Sequence, residues 1–164
     1  MTPASKPGLS RDIGFAALAI AAVAGALLLG QLATYPNLHW HAGLAKPSFN
    51  PPNWLFGPVW TALYVLMAFA LWRILRISQP SSERRLALAS FFVQLGLNVA
   101  WSWMFFAAHN PLLGMINIVP QWLAVVATAL AFYRLDRLAA WCLVPLVGWV
   151  GFASVLTIAI WRLN

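Results

Sequence analysis

Between Leu86 and Tyr133 the chain runs for 48 residues without a single Asp, Glu, Lys or Arg. A bilayer-spanning helix needs about 20 predominantly apolar residues, so this stretch holds two spans. The break between them falls at His109-Asn110-Pro111, where proline stops one helix and fits the first turn of the next. The same reading gives a span of 22 residues from Ile13 to Thr34. Another runs from Trp54 to Ile77, with Arg73 and Arg76 only in its last turn, and a last one of 24 residues from Leu138 to Trp161. Charged residues make up 8% of the chain, against about 25% in an ordinary soluble domain. The predicted fold is an all-α integral membrane bundle of five transmembrane helices, at about 13–34, 54–77, 84–108, 111–133 and 138–161. At 164 residues the chain 1–164 is one domain. Residues 35–53 form a long loop and 78–83 a charged one.

Lys6 and Arg11 precede the first span in the manner of a signal peptide. Its apolar region is too long for one, and Gln31-Leu32-Ala33-Thr34 is a poor small-x-small cleavage site, so it reads as a retained helix. The net charge of +7 is a matter of topology and gives no reason to invoke nucleic acid. Five spans put the N-terminus and the second and fourth connections on one side, with Lys6, Arg11, Arg73, Arg76, Arg84, Arg85, Arg134 and Arg137. Lys46 and Arg162 lie on the other. The positive-inside bias places the N-terminus in the cytoplasm and the long loop outside, and helical spans favour a bacterial inner membrane. Anionic lipid accounts for the basic excess. Cys142, alone in the last span, leaves no intrachain disulfide or CxxC site and reads as a packing residue.

The long loop holds Pro47, Pro51 and Pro52, which fix φ and stiffen it into a candidate lid over the bundle. In the third span Gln94, Asn98, Trp101 and Phe105 share one helix side. Amides at mid-membrane are costly without partners, so this side faces the bundle interior. Gly96 and Ala100, rotated away from it, form a small-xxx-small pair suited to a homodimer contact. Trp60, Tyr64 and Met67 line one side of the second span; Pro145, Trp149, Phe152 or Ala153, and Leu156 line one side of the fifth. Inward amides among aromatics suggest a site for a flat, largely apolar ligand.

These residues carry a resemblance. Lys46-Pro47, Pro51-Pro52, Trp54-x-Phe56-Gly57-Pro58-x-Trp60-Thr61-x-Leu63-Tyr64, Gln94-Leu95-x-Leu97-Asn98-x-x-Trp101-Ser102, Phe105-Phe106, Leu143-Val144-Pro145 and Trp149-x-x-Phe152-Ala153 stand in order. Together they resemble the TspO/MBR family of tryptophan-rich sensory and translocator proteins, once called peripheral benzodiazepine receptors. The motifs run from about Trp40 to Asn164.

The resemblance implies a five-helix bundle, often dimeric, that binds porphyrin, haem or other hydrophobic aromatic ligands under the first loop. Carried over residue by residue, its pocket falls on Trp40, Pro51, Phe56, Trp60, Tyr64, Asn98, Trp149 and Ala153. Trp101, from the inward stripe, and His41, beside Trp40, complete the candidate set. His41 stands where relatives often have an aromatic such as tyrosine. Neutral, it could approach a haem iron; protonated, it would favour propionates. Leu156-Thr157 replaces a frequent Leu-Asn pair, and Leu146 a tyrosine. The cholesterol-recognition pattern is met formally by Leu130-x-x-Tyr133-x-x-x-Arg137, a weak motif that supports no sterol site.

Enzymatic chemistry finds little footing. Asp12, Glu83 and Asp136 sit at membrane ends, Ser102 and Ser154 lack a His and an acid at matching depth, and no phosphate loop occurs. His39, His41 and His109 fall on one side, but loop histidines carry no metal-site spacing, and neither a metal nor an obligatory cofactor is expected. The reading is a receptor or carrier for tetrapyrroles in the lipid bilayer. A passive transporter of hydrophobic metabolites and a weak light-dependent porphyrin-degrading enzyme remain the alternatives.

Overall fold

A computed structural model describes residues 8–164; Lys6 and the rest of the N-terminal tail lie outside the described residues. Among the described residues, five helices are long and apolar enough to cross a membrane. They are α1 (Leu9–Thr34), α3 (Asn53–Leu75), α4 (Ser82–Ser102), α5 (Pro111–Leu135) and α6 (Arg137–Leu163). Spans begin and end within a few residues of the expected limits, with α1 starting earlier, so that Asp12 falls in its first turn. The protein is an integral, multi-pass membrane protein.

The helices form a ring in the order α1–α3–α6–α5–α4, which closes back on α1. Although α3 and α4 are consecutive in the chain, they are not neighbours in the ring, and they meet across the bundle chiefly through side chains. Local chemistry fixes the helix ends. Ser81 caps α4 by accepting from the Arg84 N–H at 3.0 Å, and Asn110 caps α5 by accepting from the Leu113 N–H at 3.2 Å. Pro58, Pro120 and Pro145 lie inside helices but on exposed positions, where the ring meets lipid instead of a packed neighbour.

The expected loop 35–53 is partly helical. A 3-10 turn spans Tyr35–Asn37, and a short helix, α2, spans Leu38–Gly43. Pro36 sits in the first turn, where proline is tolerated, and no other proline follows until Pro47. Only the second half, from Leu44 to Pro52, is irregular, with a turn at Ser48 and Phe49 closed by the Asn50 N–H on the Pro47 carbonyl at 3.0 Å. After α4 the chain widens into a π turn over Trp103–Ala107, closed by the Ala108 N–H on the Trp103 carbonyl at 2.9 Å.

One end of the bundle is held by charge. Arg73 pairs with Asp136 at 2.7 Å, joining α3 to the α5–α6 turn, and Arg76 pairs with Asp12 of α1 at 2.8 Å. Arg84 donates to the carbonyls of Ile74 and Leu75 at 3.2 and 3.1 Å, satisfying the end of α3. Asp136 also caps α6, accepting from the Ala139 N–H at 3.0 Å. Burial raises its pKa, but hydrogen bonds from Arg73, Ala139 and Leu138 and the charge of Arg73 outweigh that and hold it below the ordinary carboxylate value. A depressed carboxylate stabilises the fold above its unfolded-state value, and that stabilisation is lost as pH falls through the folded one. Asp136→Ala removes cap and ion pair together and should cost about 1–3 kcal/mol. Asp136→Asn, which keeps a capping oxygen, should cost about half as much. Thermal melting in detergent near neutral pH and near pH 3 checks both: the gap between wild type and Asp136→Asn should narrow in acid.

Candidate functional site

The opposite end of the bundle is aromatic. The π turn directs Phe105 and Phe106 inward, and both are buried. Phe105 lies so close to α5 that a Cβ on Gly114 would fall 2.5 Å from its ring; only glycine admits it. Trp101 stacks on Phe105 with centroids 4.9 Å apart. The lid helix rests on this floor, with Trp40 edge-on to Phe105 at 5.7 Å and His41 against Phe106 at 5.4 Å. Phe56 and Phe152 join the same cluster.

Two further groups complete the set. On the α3–α6 side, Trp149 packs against both Phe56 and Phe152 with centroids 5.7 Å apart. Deeper in the bundle Trp60 leans on Tyr64 at 5.8 Å, and the Tyr64 hydroxyl donates to Asn98 Oδ1 at 2.8 Å, bridging α3 to α4. Gln94, on the same face of α4, donates to the Met67 sulfur at 3.7 Å. The inward stripe expected on α4 is therefore the buried one, with Gln94 and Asn98 both inside.

Three donors in this region are buried without a partner: Asn98 Nδ2, Trp101 Nε1 and Trp149 Nε1. An unsatisfied buried donor costs about 1–3 kcal/mol, and such groups persist where something else is meant to meet them. The site can thus offer hydrogen bonds to acceptors at the edge of a flat apolar body. Ala153 is half-buried on the inner side of α6, packed against the main core. Pro51, by contrast, lines a groove of about 620 Å³ between α3 and α6, together with Trp149 and Phe152. Trp60, Tyr64 and Asn98 do not line it.

Several residues here escape a reading of helix faces. Lys46 Nζ donates to the carbonyls of His41, Ala42 and Leu44 at 2.7, 3.2 and 3.1 Å, closing the end of α2. The Asn164 side chain holds both the N–H and the carbonyl of Ala45 at 3.0 Å, tying the lid to the end of α6. His109 adopts a left-handed φ of 51°, stacks on Trp40 at 4.8 Å and bonds Asn37 at 2.7 Å. Its contacts are to the lid, while His39 is exposed, and no group of three metal-binding side chains occurs among the described residues. On α5, Asn117 and Gln121 are buried; two amides four residues apart in an uncharged span were the available signal. Gly96 faces outward with open space at its Cβ position, and Ala100 is half-buried on the same helix.

Comparison with known proteins agrees with this arrangement. The model of the TspO/MBR family matches residues 16–162, so the likeness extends through the first span and beyond the motifs that begin at Trp40. The chain is 43% identical over 129 residues to the tryptophan-rich protein TspO of Chlorobaculum tepidum, covering 79% of this chain and 82% of that one. It is 44% identical over 125 residues to the protein of the same name from Archaeoglobus fulgidus, covering 76% and 80% of the two chains. Against the human translocator protein the identity is 35% over 129 residues, covering 78% and 76%. Five apolar spans, an aromatic floor under a short lid helix and a family match reaching from α1 to the end of α6 lead to one conclusion: the chain belongs to the TspO/MBR family.

Proposed function

We propose that this protein is a membrane receptor or carrier for tetrapyrroles, porphyrin or haem, and for related hydrophobic aromatic ligands. The observation that carries the reading is the set of unpaired donors, Asn98 Nδ2, Trp101 Nε1 and Trp149 Nε1, buried among stacked rings beneath a tied-down lid. Aromatic faces suit a planar macrocycle, and inward N–H groups suit acceptors on its rim. The names of the relatives, sensory and translocator proteins, agree with a binding role. Catalysis is not part of the proposal: Asp12 and Asp136 are engaged by arginines at the far end of the bundle, remote from the aromatic floor. The charged end faces the cytoplasm of a bacterial inner membrane, and the lid faces outward.

Equilibrium titration of the purified protein with metal-free protoporphyrin and with haem tests the reading. Saturable binding with both pigments recovered intact in light and in dark is the expected result. Absence of saturable binding would remove the function, and consumption of the pigment in light would replace it with the enzymatic one.

The proposed homodimer uses the outward Gly96–Ala100 strip of α4. Gly96→Leu fits the open space around Gly96 within one subunit and should shift a detergent-solubilised dimer toward monomer, with porphyrin affinity unaltered. Light scattering alongside the titration reads both. A variant that stays dimeric and loses ligand would place the contact elsewhere.

A further inference from the structure

The lid end is held in place by several independent ties. Lys46 gathers three carbonyls, Asn164 clasps Ala45, and His109 holds both Trp40 and Asn37. A depression of about 340 Å³ lies on the outer side of the lid, lined by Trp40, His109, Trp161 and Asn164. Trp40 is wedged between His109 and Phe105, so this depression leads to a blocked floor.

The groove between α3 and α6 differs in each respect. Every residue lining it is apolar, and it opens outward from two membrane-spanning helices. Its small residues, Ala62 and Gly148, are exposed, and a Cβ built on Gly148 meets nothing within 4 Å. Its inner wall is Trp149, which on its other side touches Phe56 of the aromatic site. Trp149 is also untethered. The indole N–H groups of Trp72, Trp103 and Trp122 are fixed by Asp12, the Leu29 carbonyl and the Val147 carbonyl at 3.1 Å each, whereas that of Trp149 has no partner. Pro145, one turn before it, lacks an N–H and loosens the helix on the groove side.

We infer that the α3–α6 groove is a lateral portal, and that planar hydrophobic ligands dissolved in the bilayer reach the aromatic site through it, past a swinging Trp149. The inference rests on the ligand-binding function proposed above. It assigns a route, and a gate residue, to the outer face of α3 and α6, which shares Trp149 and Pro51 with the candidate site. The hydrocarbon phase is the solvent on that face, so a ligand that partitions into lipid meets the portal without crossing the tied lid.

A blocked portal slows arrival and departure alike and leaves the equilibrium untouched, which separates it from a damaged site. Protein in phosphatidylcholine vesicles is mixed with vesicles carrying metal-free protoporphyrin, and quenching of tryptophan emission is followed in time, then reversed with empty vesicles. Gly148→Phe and Ala62→Phe, filling the groove from α6 and from α3, should each slow both phases by about tenfold with Kd held within about twofold. Ala127→Phe, an exposed position on α5, controls for added bulk toward lipid and should change neither rate. Asn164→Ala, which unties the lid, should also leave both rates unchanged. Unchanged rates in the two groove variants would overturn the portal, as would faster exchange in Asn164→Ala. Loss of affinity in both groove variants without slowed exchange would overturn it as well. Failure of the wild type to bind the porphyrin at all would defeat the proposed function and the portal with it; binding at unaltered rates would defeat the portal alone.

Discussion

Phe105→Ala should destabilise the protein by about 3–5 kcal/mol, the cost of emptying a large, fully enclosed aromatic position. Phe105 is 1% exposed and meets Trp40, His41, Trp101 and Phe106. Its loss therefore removes the floor of the lid as well as core volume. Gly114→Ala approaches the same ring from behind. The added Cβ would sit 2.5 Å from Cδ2 and 3.0 Å from Cβ of Phe105, too near the backbone for the side chain to swing clear. Overpacking of this kind costs about 1–3 kcal/mol. Thermal unfolding in detergent gives the stabilities, and proteolysis within the irregular segment 44–52 reports the lid. Both variants should be cut faster than wild type. A Gly114→Ala protein as stable as wild type, with an unchanged cleavage rate, would show that α5 and the π turn can separate at no cost.

Trp149→Ala and Trp60→Ala should each weaken porphyrin binding by about 1–3 kcal/mol through lost aromatic contact. The two positions differ in what else they do. Trp60 is held against Tyr64, whose hydroxyl is engaged by Asn98, so Trp60→Ala leaves that hydrogen bond available and should act on affinity alone. Trp149 separates the groove from the aromatic site. Trp149→Ala should therefore also accelerate release, and more than its affinity loss accounts for. Equilibrium titration with release kinetics on both variants checks the pair. Undiminished affinity in both would move the binding site away from these tryptophans.

Much of the architecture was legible because the bilayer imposes its own spacing on a sequence. Charges at Arg11, Arg73, Arg84, Arg134 and Arg162 bracket the spans, and Pro111 marks a turn that no charge signals. The inward face of α4 was legible for a related reason: Gln94 and Asn98 in an uncharged span have to turn from lipid. What could not be read is how the spans are arranged around the bundle. Every span is apolar all round, so periodicity gives no order, and nothing in the connection from Arg76 to Ser81 announces that it carries the chain across the bundle from α3 to α4. The lid helix was hidden by its neighbours, since Pro47, Pro51 and Pro52 made the whole segment 35–53 read as a stiff loop. The ties made by Lys46 and Asn164 run to main-chain carbonyls, whose positions follow only from the folded backbone. Phe105 already lies on the inward stripe that helical periodicity gives, but Phe106 turns inward beside it because of the π turn, an added residue in the helical repeat that a period of 3.6 does not anticipate.

The ring order has a consequence for assembly. Helices emerge from the ribosome in sequence, yet α3 finds its second neighbour only in α6, the fifth of the described spans. Without α6 the ring cannot close, and the α3 side of the aromatic site lacks Trp149 and Phe152 opposite it. The wall that holds the portal is thus the seam at which the barrel of helices is sealed. A chain ending before Arg137 would lack Trp149, Phe152 and the Asn164 tie, and with them one wall of the aromatic cluster and a hold on the short helix above it. Synthesis of α6 is the event that turns a row of helices into a compartment.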